Sequence, residues 1–222
     1  MITVQNYIIS ITYFEGIAED ELTHIIDNTL LRTFSAGEMI FLEGEPVDGL
    51  WIVERGNVKI FKLNPDGGEH ILHLCGPGKT FNDIGALDGR NNPASAAALS
   101  SEVLVWLVPS EKIKYVLTHN PQVALNVIQL LADRVRSLVG QIEDLALYSV
   151  IVRLARFLLK QAEDPSLSGP GVTRTAIAAH INTTPQTISN VLHTLKETGA
   201  IQFDRHRIII VNERILRSIA ML

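Results

Sequence analysis

Cysteine is nearly absent from this chain, and Cys75 stands alone. A single thiol excludes a disulfide within the chain and an iron–sulfur cluster held only by its cysteines. The ordinary role left to it is that of a small buried apolar residue. Aromatic residues are scarce, at 6 % of 222 positions. No apolar run approaches the roughly 18 residues that a membrane span requires. Met1 is followed by neither a basic stretch nor an apolar signal core, so the expectation is a cytoplasmic protein with no membrane partner. No phosphate-binding loop, dinucleotide fingerprint or Ser-His-Asp set occurs, which speaks against the common enzyme classes. What is present, 46 % hydrophobic and 19 % charged residues, is the composition of an ordinary globular chain.

The net charge of −5 hides a division. Residues 149–222 hold 9 Lys and Arg against 5 Asp and Glu, a balance of +4. The rest carries 10 basic and 19 acidic residues, a balance of −9. A basic module carried on an acidic body is the electrostatic footprint of a nucleic-acid binder.

The texture of the chain divides it further. The first 28 residues read as a helical lead-in, with Ala18, Leu22, Ile25 and Ile26 at helical spacing and Glu19-Asp20-Glu21 suited to a helix N-terminus. From Leu30 to about Pro109, short β-branched and aromatic stretches alternate with Gly, Pro, Asn and Asp. They are 39–42, 50–53, 58–62, 71–74 and 103–107. Short strands with regular turn signals predict an all-β roll or jelly roll. From Pro121 the period becomes helical, and Leu131, Val135, Leu138, Ile142 and Leu145 recur at 4, 3, 4, 3, a heptad seam. Such a stripe must be buried, either on the β domain of its own chain or on a second copy, and the 3.5-residue period favours a homodimer. The expected organisation is a β-roll sensor at 1–118, a dimerisation helix at 119–148 and a C-terminal domain at 149–222.

The most informative segment runs from Thr173 to Leu195. Thr173 caps a short helix whose inner face is Ile177 and Ile181, with Ala178 allowing close approach. Asn182 occupies a turn that needs positive φ. Thr184 followed by Pro185 starts a second helix, which turns Ile188, Val191, Leu192 and Leu195 inward. Its outer face carries Pro185, Gln186, Ser189, Asn190 and His193, with Lys196 a turn further on. Two strands, 201–203 and 208–211, then flank Asp204-Arg205-His206-Arg207 as a wing with a basic tip. This is a winged helix-turn-helix, whose second helix enters the major groove of DNA. Gln186 and Asn190 can bond adenine through N6 and N7. Thr173, Arg174, Thr184, Thr187, Lys196, Arg205, His206 and Arg207 are candidates for the remaining DNA contacts. The fold class is therefore α+β, with double-stranded DNA as partner.

These parts, in this order, resemble the cyclic AMP receptor protein / fumarate–nitrate reductase regulator (CRP/FNR) superfamily. The phrases that carry the resemblance are residues 37–45 (GEMIFLEGE), residues 56–60 (GNVKI) and the helix-turn-helix itself. The resemblance implies a double-stranded β-roll of the cyclic-nucleotide-binding type. It also implies a homodimeric transcription regulator on a two-fold symmetric DNA site, an allosteric sensor domain, and contact with RNA polymerase if it activates. It implies no enzymatic activity.

The departures matter. Cyclic-nucleotide binders of this family carry a Gly-Glu pair for the ribose and an Arg-Ser/Thr-Ala phrase for the cyclic phosphate. Here those places read Asn82-Asp83 and Pro93-Ala94-Ser95. Losing a charge-assisted phosphate contact worth roughly 1.5–3 kcal/mol removes most of the affinity, so cyclic AMP is not the expected effector. The long helix has Leu138 and Val139 where the cyclic AMP receptor reads the base. The expected effector pocket is lined by Asn82, Asp83, Ile84, Gly85, Ala94, Ser95, Leu138 and Val139. Residues 80–83 and 92–96 resemble nitric-oxide-responsive members. Haem-based sensing of nitric oxide or carbon monoxide stays open, with His70, His73, Cys75, His24 and His119 as the available ligands. An alternative of another class, a cupin-like metal enzyme, would need His-x-His with a Glu; His70-x-x-His73 puts its two side chains on opposite faces of a strand. Relatives place Arg-Glu where Pro185-Gln186 stands and Arg where Asn190 stands, so the half-site is expected to shift toward A·T.

Overall fold

The computed structural model describes residues 4–9, 11–169, 171–204 and 207–222. The lead-in is not one helix: α1 (Val4–Ile9), a 3-10 turn (Thr12–Phe14) and α2 (Glu19–Ile26) follow one another. The acidic first turn of α2 sits at the positive end of its dipole.

Eight strands then build the β-roll. They are β1 (Leu30–Ser35), β2 (Met39–Phe41), β3 (Gly49–Arg55), β4 (Val58–Leu63), β5 (Glu69–Cys75), β6 (Thr80–Phe81), β7 (Ser95–Ala98) and β8 (Glu102–Pro109). They pair antiparallel in two four-stranded sheets, ordered β1-β8-β3-β6 and β2-β7-β4-β5. The inner faces enclose Phe41, Trp51, Val53, Val58, Phe81, Val103 and Val105. Trp51 stacks on Phe81 with centroids 6.1 Å apart. A short helix, α3 (Asp83–Asp88), links β6 to β7.

Three of these elements carry no readable periodicity. β1 is an edge strand exposed on both faces, β6 has two residues, and β7 is the run Ser-Ala-Ala-Ala. β7 is nevertheless buried throughout. Ala96 and Ala98 face the space between the sheets, whereas Ala97 joins the core of the C-terminal helices.

After β8 come α4 (Ser110–His119) and the long α5 (Pro121–Leu147). Asn120 separates them, and its side chain caps α5 by accepting from Val123 N at 3.1 Å. The first turns of α5 pack with α1, α2 and α4 against the first sheet through Val123 and Val127. Tyr148 and Ser149 are extended and break the helix before α6 (Val150–Glu163). Ser149 occupies the N-cap position of α6, although its hydroxyl makes no capping bond. The C-terminal domain continues with α7 (Arg174–His180), α8 (Pro185–Glu197), the hairpin β9 (Ile201–Phe203) and β10 (Ile208–Ile210), and α9 (Glu213–Ile219).

The two halves share a core. Phe61, Ile71, Leu74 and Ala97 of the second sheet cluster with Leu154, Phe157, Ala178, Ile188 and Leu192 of the C-terminal domain. Buried Asn57 fastens the seam, because its Nδ2 donates to the carbonyls of Ser166 and Ser168, each at 3.2 Å. The backbones approach so closely that a Cβ at Gly76 would lie 2.2 Å from the Ser166 carbonyl oxygen. Replacing Asn57 with Ala leaves both carbonyls without that donor. It should cost about 1–3 kcal/mol in urea unfolding and accelerate amide exchange across Pro165–Leu167.

Candidate functional site

The helix-turn-helix is built as its residues dictate. The Thr173 hydroxyl accepts from Ala176 N at 3.2 Å, and the Thr184 hydroxyl accepts from Thr187 N at 3.1 Å. Pro185 takes the first helical position of α8. Asn182 turns the chain at φ +53°, a conformation Asn tolerates. Ile177, Ile188, Leu192 and Leu195 are buried, which leaves Pro185, Gln186, Asn190, His193 and Lys196 exposed on one side of the domain. Gln186 Nε2 donates to Asn190 Oδ1 at 3.1 Å, so two amides one turn apart form a single edge. Ser189 is half-buried and spends its hydroxyl on the Pro185 carbonyl at 3.1 Å. Thr187 is half-buried too, with its hydroxyl 2.8 Å from that of Thr184.

The wing lies against the same face. Arg174 donates to the Asp204 carbonyl at 2.7 Å and stands 5.1 Å from the Phe203 ring centre. His193 meets Phe203 edge-on at 5.2 Å, and Lys196 lies 5.7 Å from it. Phe203 therefore gathers three of the basic candidates around the hairpin, a role the strand pattern did not reveal. Arg207 is exposed. Arg205 and His206 lie outside the described residues.

Of the expected effector residues, those of the β-roll find internal partners for most of their polar groups. Asn82, at φ +64°, caps α3 by position and donates to Asn92 Oδ1 at 2.9 Å. The Ser95 hydroxyl accepts from Glu43 N at 3.0 Å. Asp83 is fully buried: its Oδ1 accepts from the Thr80 hydroxyl at 2.8 Å, and its Oδ2 faces the Arg134 guanidinium as an ion pair. Arg134 also donates to the Thr80 carbonyl at 2.6 Å. Arg134, which lies off the heptad seam, is the α5 residue that reaches this corner. Its position one residue before Val135, on the flank of the seam, was the available signal. Gly85 and Ala94 are buried, whereas Ile84, Leu138 and Val139 stand exposed.

Pro93 is exposed and offers no donor to a phosphate, and the one carboxylate is already neutralised. Tyr13 lies close by, its phenol raised by burial and secondarily by Asp83. Among the described residues no three His, Cys, Asp or Glu side chains converge as metal ligands. Burial pushes the Cys75 thiol up to about 12 and the His73 imidazole down to about 3. His24 and His119 flank Tyr115 at 4.7 and 4.2 Å, away from them.

A β-roll joined through a long helix to a winged helix-turn-helix defines a class, the sensor-coupled DNA-binding transcription regulators. The cyclic nucleotide-binding domain family matches residues 31–120, and the Crp-like helix-turn-helix domain family matches residues 152–219. With both domains in this order, the chain belongs to the CRP/FNR superfamily of transcription regulators. It is 29 % identical over 210 residues to the cyclic AMP receptor protein of Thermus thermophilus, covering 93 % of this chain and 95 % of that one. It is 27 % identical over 190 residues to the global nitrogen regulator of Synechococcus elongatus, with 82 % and 86 % covered. The structure of FixK2 from Bradyrhizobium japonicum superposes with a TM-score of 0.78 at 24 % identity, over 86 % of this chain and 96 % of that one. No helix among the described residues is long and apolar enough to cross a membrane.

Arg134→Met should strand the buried Asp83 carboxylate. Removing one partner of a buried pair costs about 3–5 kcal/mol, and the 28 % exposure of Arg134 places this case at the lower end. Thermal unfolding measures the loss, and adding Asp83→Leu should recover most of it.

Proposed function

We propose that this chain is a homodimeric, sequence-specific DNA-binding regulator of transcription in the cytoplasm, whose effector is not cyclic AMP. The observation that carries the reading is the outward amide edge of α8, Gln186 and Asn190, presented on a capped helix with Arg174, His193 and Lys196 gathered around Phe203 of the wing. The contacts proposed for DNA are those amides with Pro185, Ser189 and His193 toward base edges. Thr173, Arg174, Thr184, Thr187, Lys196 and the basic wing tip serve the phosphates.

The homodimer rests on the exposed stripe of α5. Val135, Leu138, Ile142 and Leu145 are between 40 % and 67 % exposed in the single chain, an extent that calls for a partner surface. Leu131 packs partly on the chain's own core, so the seam begins there and runs outward. Dimerisation along α5 would set two α8 helices about 34 Å apart, one turn of DNA. A signal in the β-roll would act through Arg134 and α5 on the extended pair Tyr148-Ser149, shifting the population of two dimer arrangements. An activator of this design would also meet RNA polymerase.

Selection of bound DNA from a random pool should return a two-fold site with A·T preference at one or two positions per half. An unchanged G-rich half-site would count against amide readout. At the selected site Gln186→Ala should cost about 1–3 kcal/mol, with little loss on random DNA. Separately, Ile142→Lys alters only exposed surface in the single chain, so it should leave folding intact and convert the dimer to monomers in sedimentation equilibrium.

A further inference from the structure

A cleft of about 100 Å³ lies where three parts of the chain meet. His70 comes to it from β5, Gln141 and Leu145 from α5, Arg153 and Lys160 from α6, and His180 from α7. Its charges do not balance. Arg156 and Asp144 on the wall satisfy each other at 2.8 Å, and Arg156 is further held by the Ala220 carbonyl at 2.9 Å and the Tyr148 ring at 4.0 Å. Arg153 has no carboxylate partner among the described residues, and Lys160 reaches only the Ser137 hydroxyl at 3.4 Å. Two buried nitrogens, Nε of Arg153 and Nδ1 of His70, have no hydrogen-bond partner. His180 spends its Nδ1 on the Ile71 carbonyl at 3.1 Å. Burial, helped by Lys160, holds that ring down to about 4, so it adds no positive charge at neutral pH.

A buried donor without a partner is uncommon and asks for an ion or a water. Here two unpaired nitrogens and two uncompensated cations share one small space. Its volume of about 100 Å³ is well short of the roughly 300 Å³ of a drug-sized site. A nucleoside is too large for it, but a tetrahedral oxyanion suits it. Arg supplies a planar fork of donors and Lys a point charge, the pairing that suits phosphate oxygens.

We propose that this cleft binds a phosphate group, either free phosphate or the end of a small phosphate monoester. Bound there, the anion links α6 to β5 and to the end of α5, across the break at Tyr148-Ser149 through which the regulator reading passes its signal. The binding itself does not depend on that reading, whereas its consequence for DNA does.

The test uses the full-length chain at constant ionic strength in chloride, titrated with inorganic phosphate and with glycerol 3-phosphate, by calorimetry and by 31P resonance shift. Saturable binding below about 10 mM is expected, weakened about tenfold or more in Arg153→Gln/Lys160→Gln. Tighter binding of the monoester would identify the group as a metabolite's end, and equal or tighter binding of inorganic phosphate would identify the free ion. Lys160→Gln alone changes an exposed side chain and should weaken binding severalfold, which keeps the proposal testable should the double variant fail to fold. No saturable binding of either probe, or binding unchanged by Lys160→Gln, overturns the site. Selection from a DNA pool is run alongside. Phosphate binding without any DNA binding would sink the regulator reading and leave the site, and DNA binding without phosphate binding would do the reverse.

Discussion

Ala97 can touch the C-terminal helices because β7 carries only small side chains, and the geometry of the whole chain follows from that contact. A sheet in a two-layer roll needs a cover for its outer face, and a short helical domain needs a platform that completes its core. Here each supplies the other. Phe61, Ile71 and Leu74 give the C-terminal helices an apolar floor, while Asn57 satisfies carbonyls that the seam would otherwise strand. Docking in this position packs α7 on β5, with α8 held behind it by α6 and α7, and leaves the amide edge of α8 exposed. It also brings His70 next to Arg153 and Lys160, which lie more than eighty residues away in the chain.

Two polar sites lie along the long helix, one at its middle and one at its C-terminal end, and they differ in kind. At Arg134, midway along α5, the charges are matched: Asp83, Thr80 and the guanidinium form a closed set. Low dielectric makes such a set strong when complete and costly when broken, so it ties α5 to the roll. At the Tyr148 end the charges are unmatched: Asp144 is taken up by Arg156, and among the described residues no carboxylate pairs with Arg153 or Lys160. The first arrangement makes a joint, and the second leaves room for something to arrive. Between them α5 is long enough to carry a displacement from one to the other and bare enough along Val135 to Leu145 to need a partner.

Several parts were legible in the residues because their causes are local. Caps, turn residues and helical spacing act within four positions, and Thr173, Asn182, Thr184 and Pro185 stand where those rules put them. The strands rich in β-branched and aromatic residues were legible too, as was the long helix that carries the 4, 3, 4, 3 spacing. What escaped reading was set by partners distant in sequence. β7 is a strand because β2 and β4 flank it, not because alanine favours strands. α3 begins at a left-handed Asn82 held by Asn92 across the roll. Nothing local to Arg134 points to Asp83, which only the fold sets opposite it.

The residues by themselves determined that there is a winged helix-turn-helix, a β-roll before it and a long amphipathic helix between them, because periodicity and capping are properties of neighbouring positions. Only the tertiary structure decided which charges are neutralised, which are left over, and which face of each element is covered. Those depend on through-space approach of groups from different elements, and spacing along the chain carries no record of it.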